Sequence, residues 1–240
     1  MSLFSIADLH LSGAINKPMD VFGARWSDHT NKLVNRWKSV VSKDDTVVIP
    51  GDISWAMTLQ DARIDLELIG SLPGKKILGK GNHDFWWETI TKMNRFLEEC
   101  GISSISFLYN NAFETEDFII CGSRGWYVEE KMQNTVGDVD YSKIVLREAS
   151  RLETSIKEAE KLKEKSGKPI LVYLHFPPAF NGFICREIID VLHSHDLDRM
   201  YFGHIHGNYS IPKTSEFEGI SMTIISADYL NFIPMITAPY

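Results

Sequence analysis

Gly79-Lys80-Gly81-Asn82-His83-Asp84 ends one apolar run and precedes an amphipathic segment. The glycines at 79 and 81 let the backbone turn sharply and come close to a ligand. Asn82 offers an amide oxygen, His83 a titratable ring, and Asp84 a carboxylate able to orient that ring. Taken alone, Asn-His-Asp is also ordinary turn chemistry. Three polar groups in a row at a strand end are costly to bury without a purpose, however, and further polar clusters end apolar runs in the same way.

Upstream, residues 3–7 form a short apolar strand pattern followed by Asp8-Leu9-His10. Residues two apart in an extended segment point the same way, so Asp8 and His10 are expected to share a face and grip one ion. A surface turn with two unrelated polar residues is the other reading. Ser27 is expected to cap a helix whose apolar face is Leu33, Val34, Trp37, Val40 and Val41. Residues 46–49 are rich in β-branched side chains and read as a buried strand, closed by Pro50-Gly51-Asp52. A second helix is expected from Thr58, with Leu59, Ala62, Leu66 and Ile69 on one face and a stop at Pro73-Gly74. A third is expected over residues 87–100, terminated by Gly101. This alternation predicts parallel strands joined by right-handed crossovers, with ligands beyond the carboxyl ends of the strands. Asp8, His10, Asp52, Asn82 and His83 all lie there.

Downstream the pattern changes. Residues 107–109 and 118–121 read as strands joined by an acidic turn at 114–117. Gly122-Ser123-Arg124-Gly125-Trp126 opens a polar stretch, and residues 124–140 are a candidate lid or substrate loop. The longest helix follows, with Val145, Ala149, Leu152, Ile156, Ala159 and Leu162 on one stripe and its Lys and Glu residues read as a solvated face. A strongly apolar strand over residues 169–174 ends in His175, and Met200-Tyr201-Phe202 leads into Gly203-His204-Ile205-His206-Gly207. The apolar runs at 220–225 and 229–236 are expected to close a second sheet. With no repeat, low-complexity segment or linker, residues 1–240 are expected to form a single domain.

Composition narrows the function classes. Among 240 residues, 44% are hydrophobic and 24% charged, ordinary values for a globular protein. A net charge of −7 argues against a dedicated nucleic-acid-binding domain, which carries a basic surplus. Cys100, Cys121 and Cys185 are scattered and odd in number, reading as free thiols in a reducing compartment. The first residues lack a basic leader and no stretch approaches a membrane span, so a cytoplasmic protein with no membrane partner is expected.

Collected, the strand-end residues are Asp8, His10, Asp52, Asn82, His83, His175, His204 and His206. Carboxylate, imidazole and amide oxygen without thiolate suit Mn, Fe or Zn. For His175 alone a satisfied core histidine, and for His204 and His206 a polar turn, are the competing readings. Their order and spacing resemble the calcineurin-like metallophosphoesterase superfamily: Asp-x-His, Gly-Asp, Gly-Asn-His-Asp, a lone His, then Gly-His-x-His, spanning residues 8–206. The resemblance implies a four-layer α/β/β/α sandwich of two mixed β-sheets flanked by helices. It also implies two divalent metal ions, one held by Asp8, His10 and His206, the other by Asn82, His175 and His204, with Asp52 bridging both. Such a pair would activate a bridging hydroxide to attack a phosphoester. His83 would act as general acid or as a donor to the phosphoryl oxygens, with Asp84 orienting it. Arg124 is either a clamp for a substrate phosphate or a salt-bridging surface residue. Trp55, Trp86, Trp87, Trp126 and Phe176 either stack a substrate ring or pack the core. His193 and His195 fit no motif and are expected on the surface.

Gly51-Asp52-Ile53-Ser54-Trp55 lacks the further acidic residue that many relatives carry, and the longer signatures of the Ser/Thr protein phosphatase branch are absent. The expected activity is hydrolysis of a small phosphomonoester or phosphodiester. A nuclease or nucleotide pyrophosphohydrolase of the same superfamily is the alternative enzyme, and a non-catalytic metal-binding interaction scaffold the alternative of another class.

Overall fold

Along Thr46–Pro50, Val47 and Ile49 face a helical layer while Val48 faces the opposite way, into the middle of the molecule. That two-residue alternation, repeated strand after strand, builds the architecture. The computed structural model describes residues 1–127 and 141–237. The first half of the chain runs β1 (Leu3–Ser5), α1 (His29–Val40), β2 (Thr46–Pro50), α2 (Arg63–Ser71), β3 (Lys75–Gly79), α3 (Ile90–Glu99) and β4 (Ile105–Phe107). The second half adds β5 (Phe113–Glu114), β6 (Ile119–Ser123), α4 (Tyr141–Ser166), β7 (Ile170–Leu174) and a small hairpin of β8 (Ala179–Phe180) and β9 (Phe183–Ile184). It closes with α5 (Arg186–Ser194), β10 (Arg199–Phe202), β11 (Thr214–Phe217), β12 (Ile220–Ile224) and β13 (Met235–Ile236).

The strands form a five-stranded sheet, β13-β1-β2-β3-β4, and a six-stranded sheet, β11-β12-β10-β7-β6-β5. In the first, β1 to β4 are parallel, with Phe4 opposite Val47 and Val48 opposite Ile77. In the second, β12, β10, β7 and β6 are parallel, and the outer strands β11 and β5 are antiparallel. Leu3, Val48 and Ile77 from one sheet meet Ile120, Leu171, Tyr173 and Tyr201 from the other in a central apolar layer. On the outer face of the first sheet, Leu33, Leu66 and Met93 of α1 to α3 cover Val47, Ile49 and Leu78. On that of the second, Leu152, Ile156 and Ile189 of α4 and α5 cover Cys121, Val172 and Leu174. Two mixed sheets flanked by helices therefore give the four layers expected.

Several local expectations change. Helix α1 starts at His29, with Asp28 turned to φ 51 at its N-cap, while Ser27 closes a preceding turn by bonding to Ala24 O. Thr58 begins a turn, not a helix: its hydroxyl and the Asp61 carboxylate bond at 2.6 Å, and α2 starts five residues later at Arg63. Helix α3 starts at Ile90, where the side chain of Thr89 accepts from Lys92 N. Phe107 and Phe118 do not belong to one hairpin: Phe107 ends the first sheet, and the acidic turn instead joins β5 to β6 in the second. The tail is also divided, since β12 extends the second sheet while β13 returns to pair with β1. Among the described residues no helix is long and apolar enough to cross a membrane.

Candidate metal centre

Parallel strands end together, so the loops that follow β1, β2, β3, β7 and β10 crowd one rim of the sandwich. Asp8, His10, Asp52 and His204 sit there with φ of 60, 47, 52 and 68. Left-handed conformations cost about 1–3 kcal/mol each outside glycine and persist where the surroundings over-determine them. These turns, rather than extended alternation, bring Asp8 and His10 together, which corrects the basis on which they were paired.

The side chains converge into two groups, Asp8 with His10 and His206, and Asp52 with His175 and His204, the donor atoms of each lying within 4.8 Å of one another. Asp52 Oδ2 stands between the groups, 3.7 Å from His10 Nε2 and 3.5 Å from His175 Nε2. Asn82 Oδ1 joins the second group at 2.6 Å from His175 Nε2. Asp8 is fully buried and accepts from His204 N with both oxygens, while His83 N donates to Asp52 Oδ1 at 2.8 Å. Two glycines make the approach possible. A Cβ on Gly81 would fall onto the carboxylate and amide nitrogen of Asp52, and one on Gly203 onto the carboxylate of Asp8.

Electrostatically the cluster is built for cations. Burial pushes the Asp8 carboxyl up to about 6, and burial with the neighbouring Asp8 and Asp84 raises Asp52 well above the carboxylate range. Burial and the surrounding imidazoles drive His10 and His175 well below the usual histidine value, and burial with His206 and His83 takes His204 to about 3. Neutral imidazoles present lone pairs, the form in which histidine ligates metal. The Nδ1 atoms of His10 and His175 are buried without hydrogen-bond partners. Crowded carboxylates beside neutral imidazoles and an amide oxygen are a donor set that fits divalent metal ions.

Asp84 does not orient His83. Its carboxylate accepts instead from Ile53 N, Ser54 N, Gly81 N and the indole of Trp86, tying the loop after β2 to the loop after β3. The His83 ring lies against Trp55, centroids 4.3 Å apart, and burial with the charges of His206 and Lys17 lowers its pKa to about 4. Trp55 also stacks on His10 at 4.9 Å, and Trp86 is buried in the core. Arg124 lies beside the cluster: its carbonyl accepts from Phe176 N, and its guanidinium is 3.4 Å from Glu148. Of the candidate lid at 124–140, residues 128–140 lie outside the described residues.

Asp228 escaped the sequence reading. It is fully buried and accepts from His206 Nδ1 at 2.8 Å, from Gly207 N and from the Tyr209 hydroxyl. Its signal was of the same kind as the others, a carboxylate just past an apolar strand, but outside the motifs that carried the resemblance. His29, whose Nε2 lies 3.2 Å from the His10 carbonyl, was likewise unremarked.

The sequence profile of the calcineurin-like phosphoesterase family matches residues 1–208. The chain belongs to that family. A curated relative, the Gene 66 protein of Mycobacterium phage L5, is 47% identical over 57 residues, 24% of this chain and 27% of that protein. The matched segment is thus about a quarter of the relative's length. Among solved structures, phosphopantetheinyl hydrolase from Mycobacterium tuberculosis superposes with a TM-score of 0.55 at 15% identity, over 100% of this chain and 96% of that one. Protein TT1561 of Thermus thermophilus gives 0.58 at 12% identity, over 95% and 89%. At these identities the likeness is one of fold. At its rim this family member carries two groups of candidate ligands for metal ions.

Proposed function

We propose that the chain hydrolyses a small phosphomonoester or phosphodiester with the help of two divalent cations. The observation that carries this reading is the buried carboxylate of Asp52, whose Oδ2 lies between His10 of one donor group and His175 of the other. Asp8, His10 and His206 would hold one ion, Asn82, His175 and His204 the other, and Asp52 both. Manganese, iron or zinc fits this set of imidazole and oxygen donors. When bound, such a pair supplies positive charge for the phosphoryl oxygens and lowers the pKa of water toward neutrality.

The protein's own groups do the rest. His83, a neutral ring braced by Trp55, would donate a hydrogen bond to a phosphoryl oxygen, the second of its two expected roles. Asp84 would act at one remove, fixing the backbone that carries Asp52 and Gly81. Arg124 would present its guanidinium to a substrate oxygen. Nucleotide pyrophosphohydrolysis is the second reading, favoured by the cationic cavity described below.

The test is manganese-dependent hydrolysis of chromogenic phosphomonoester and phosphodiester substrates, with metal content measured in parallel and Asp52→Asn as control. Cleavage lost in the variant supports the reading, and the preferred ester separates the two substrate classes. Two bound ions with equal cleavage by wild type and variant would refute the role of Asp52. Neither metal nor cleavage would favour an interaction scaffold.

A further inference from the structure

Beside the candidate metal centre lies a cavity of about 230 Å³ whose wall, among the described residues, carries Lys80, Arg124, Arg147 and Arg151 against one carboxylate, that of Glu148. Its position ties it to the centre. Lys80 precedes Gly81, which abuts Asp52, and the Arg124 carbonyl is bonded to the residue after His175. Arg147 and Arg151 stand one turn apart on α4, where like charges repel each other. Glu148 offsets only part of this charge. Its Oε1 is shared by Arg151 at 2.5 Å and Arg124 at 3.4 Å, which fixes both guanidiniums in place. Arg151 is further held over the Tyr109 ring at 5.2 Å. Lys80 and Arg147 have no carboxylate partner among the described residues, and Arg124 Nε is buried without a hydrogen-bond acceptor.

Preorganised cations around a partly open cavity, with donors left over, suit an anion with several oxygens. The volume falls below the ~300–1,000 Å³ of a pocket that takes a whole ligand, so it suits one group of a larger molecule. We infer that this cavity receives a second phosphate of the substrate, so that the preferred substrate carries two phosphoryl groups, one cleaved at the metal centre and one held here. The inference rests on the phosphoesterase reading for the first of those groups and on the cavity alone for the second.

The test uses two nitrophenyl nucleoside phosphodiesters that differ only in a terminal phosphate. Wild-type protein is expected to favour the doubly phosphorylated ester by about tenfold or more in kcat/KM, the equivalent of one or two charged hydrogen bonds. The preference should collapse in Arg147→Gln, at an exposed position that leaves the fold intact, and in Arg151→Gln. Equal use of both esters, or a preference surviving in both variants, would overturn the inference. If neither ester is cleaved, the hydrolase reading fails and the cavity is judged by calorimetry with inorganic phosphate on the manganese-treated protein. Binding weakened about tenfold in Arg151→Gln then supports the cavity as a phosphate site. No binding, or binding indifferent to both substitutions, sinks it.

Discussion

His206 Nδ1 lies 2.8 Å from Asp228 Oδ1, which turns the other ring nitrogen, Nε2, toward His10 and Asp8. Burial opposes charge on Asp228, but the donors His206, Gly207 and Tyr209 outweigh it and hold the carboxyl below its ordinary value. An ionised carboxylate only accepts, so Nδ1 donates. Against the effect of burial, Asp8 and Asp228 raise the ring's pKa, and once a cation displaces the second proton Nε2 offers its lone pair. Asp228→Asn should therefore weaken divalent-ion binding by ~10–100-fold, as carboxylates behind ligating histidines do. A manganese titration of both proteins reads this directly, and equal affinities would show that Asp228 only packs.

Gly81→Ala tests the closeness of the loops after β2 and β3. The added methyl has no space beside Asp52, whose backbone as well as carboxylate stands in the way. The expected cost is about 1–3 kcal/mol in unfolding free energy, with displacement of Asp52 and loss of metal binding. Denaturant unfolding and metal analysis check the two effects separately.

His83→Ala should lower kcat by ~10²–10³-fold if the ring donates to a phosphoryl oxygen in the transition state. Its ring belongs to neither donor group, so metal content should stay at the wild-type level. Retained turnover in the variant would remove His83 from the mechanism.

His195 gives a pH prediction away from the metal centre. Its Nδ1 is 2.7 Å from Glu160 and its Nε2 3.0 Å from Glu153, joining the end of α5 to α4. Burial works to lower its pKa, but the two carboxylates outweigh burial and raise it. A raised folded pKa contributes stability that is complete below the unfolded value of about 6.5 and fades as pH rises through the folded value. The Tm difference between wild type and His195→Gln should be largest on the acid side of that window and shrink toward alkaline pH. A difference that is flat or grows with pH would contradict the ion-pair account.

The strand ends were legible because each announces itself locally. An apolar run stops and a carboxylate or imidazole follows, beside a glycine at Gly51-Asp52 and Gly203-His204 and without one at Asp8 and His175. The four-layer order came through the family resemblance, since an unbroken apolar run such as β2 says only that both faces are buried. What stayed hidden depends on distance in the chain. The donors that occupy Asp84 come partly from Ile53 and Ser54, about thirty residues away, and nothing in Asn-His-Asp reveals them. His195 read as a surface residue because its partners sit on another helix. The passage of the chain from one sheet to the other between Phe107 and Phe113 is set by tertiary packing, which two short apolar runs cannot encode.

The return of β13 to β1 orders events during biosynthesis. Every proposed ligand has been added to the growing polypeptide once residue 206 is in place. Ile236 and Met235, which pair with Phe4 and Ser5, and Asp228, which sets the His206 ring, are joined afterward. Until then the edge of β1 stays open, the kind of bare strand that invites non-native pairing. The segment beyond residue 206 thus acts as a clasp, closing the bare edge of β1 and fixing the His206 ring after every proposed ligand has been made.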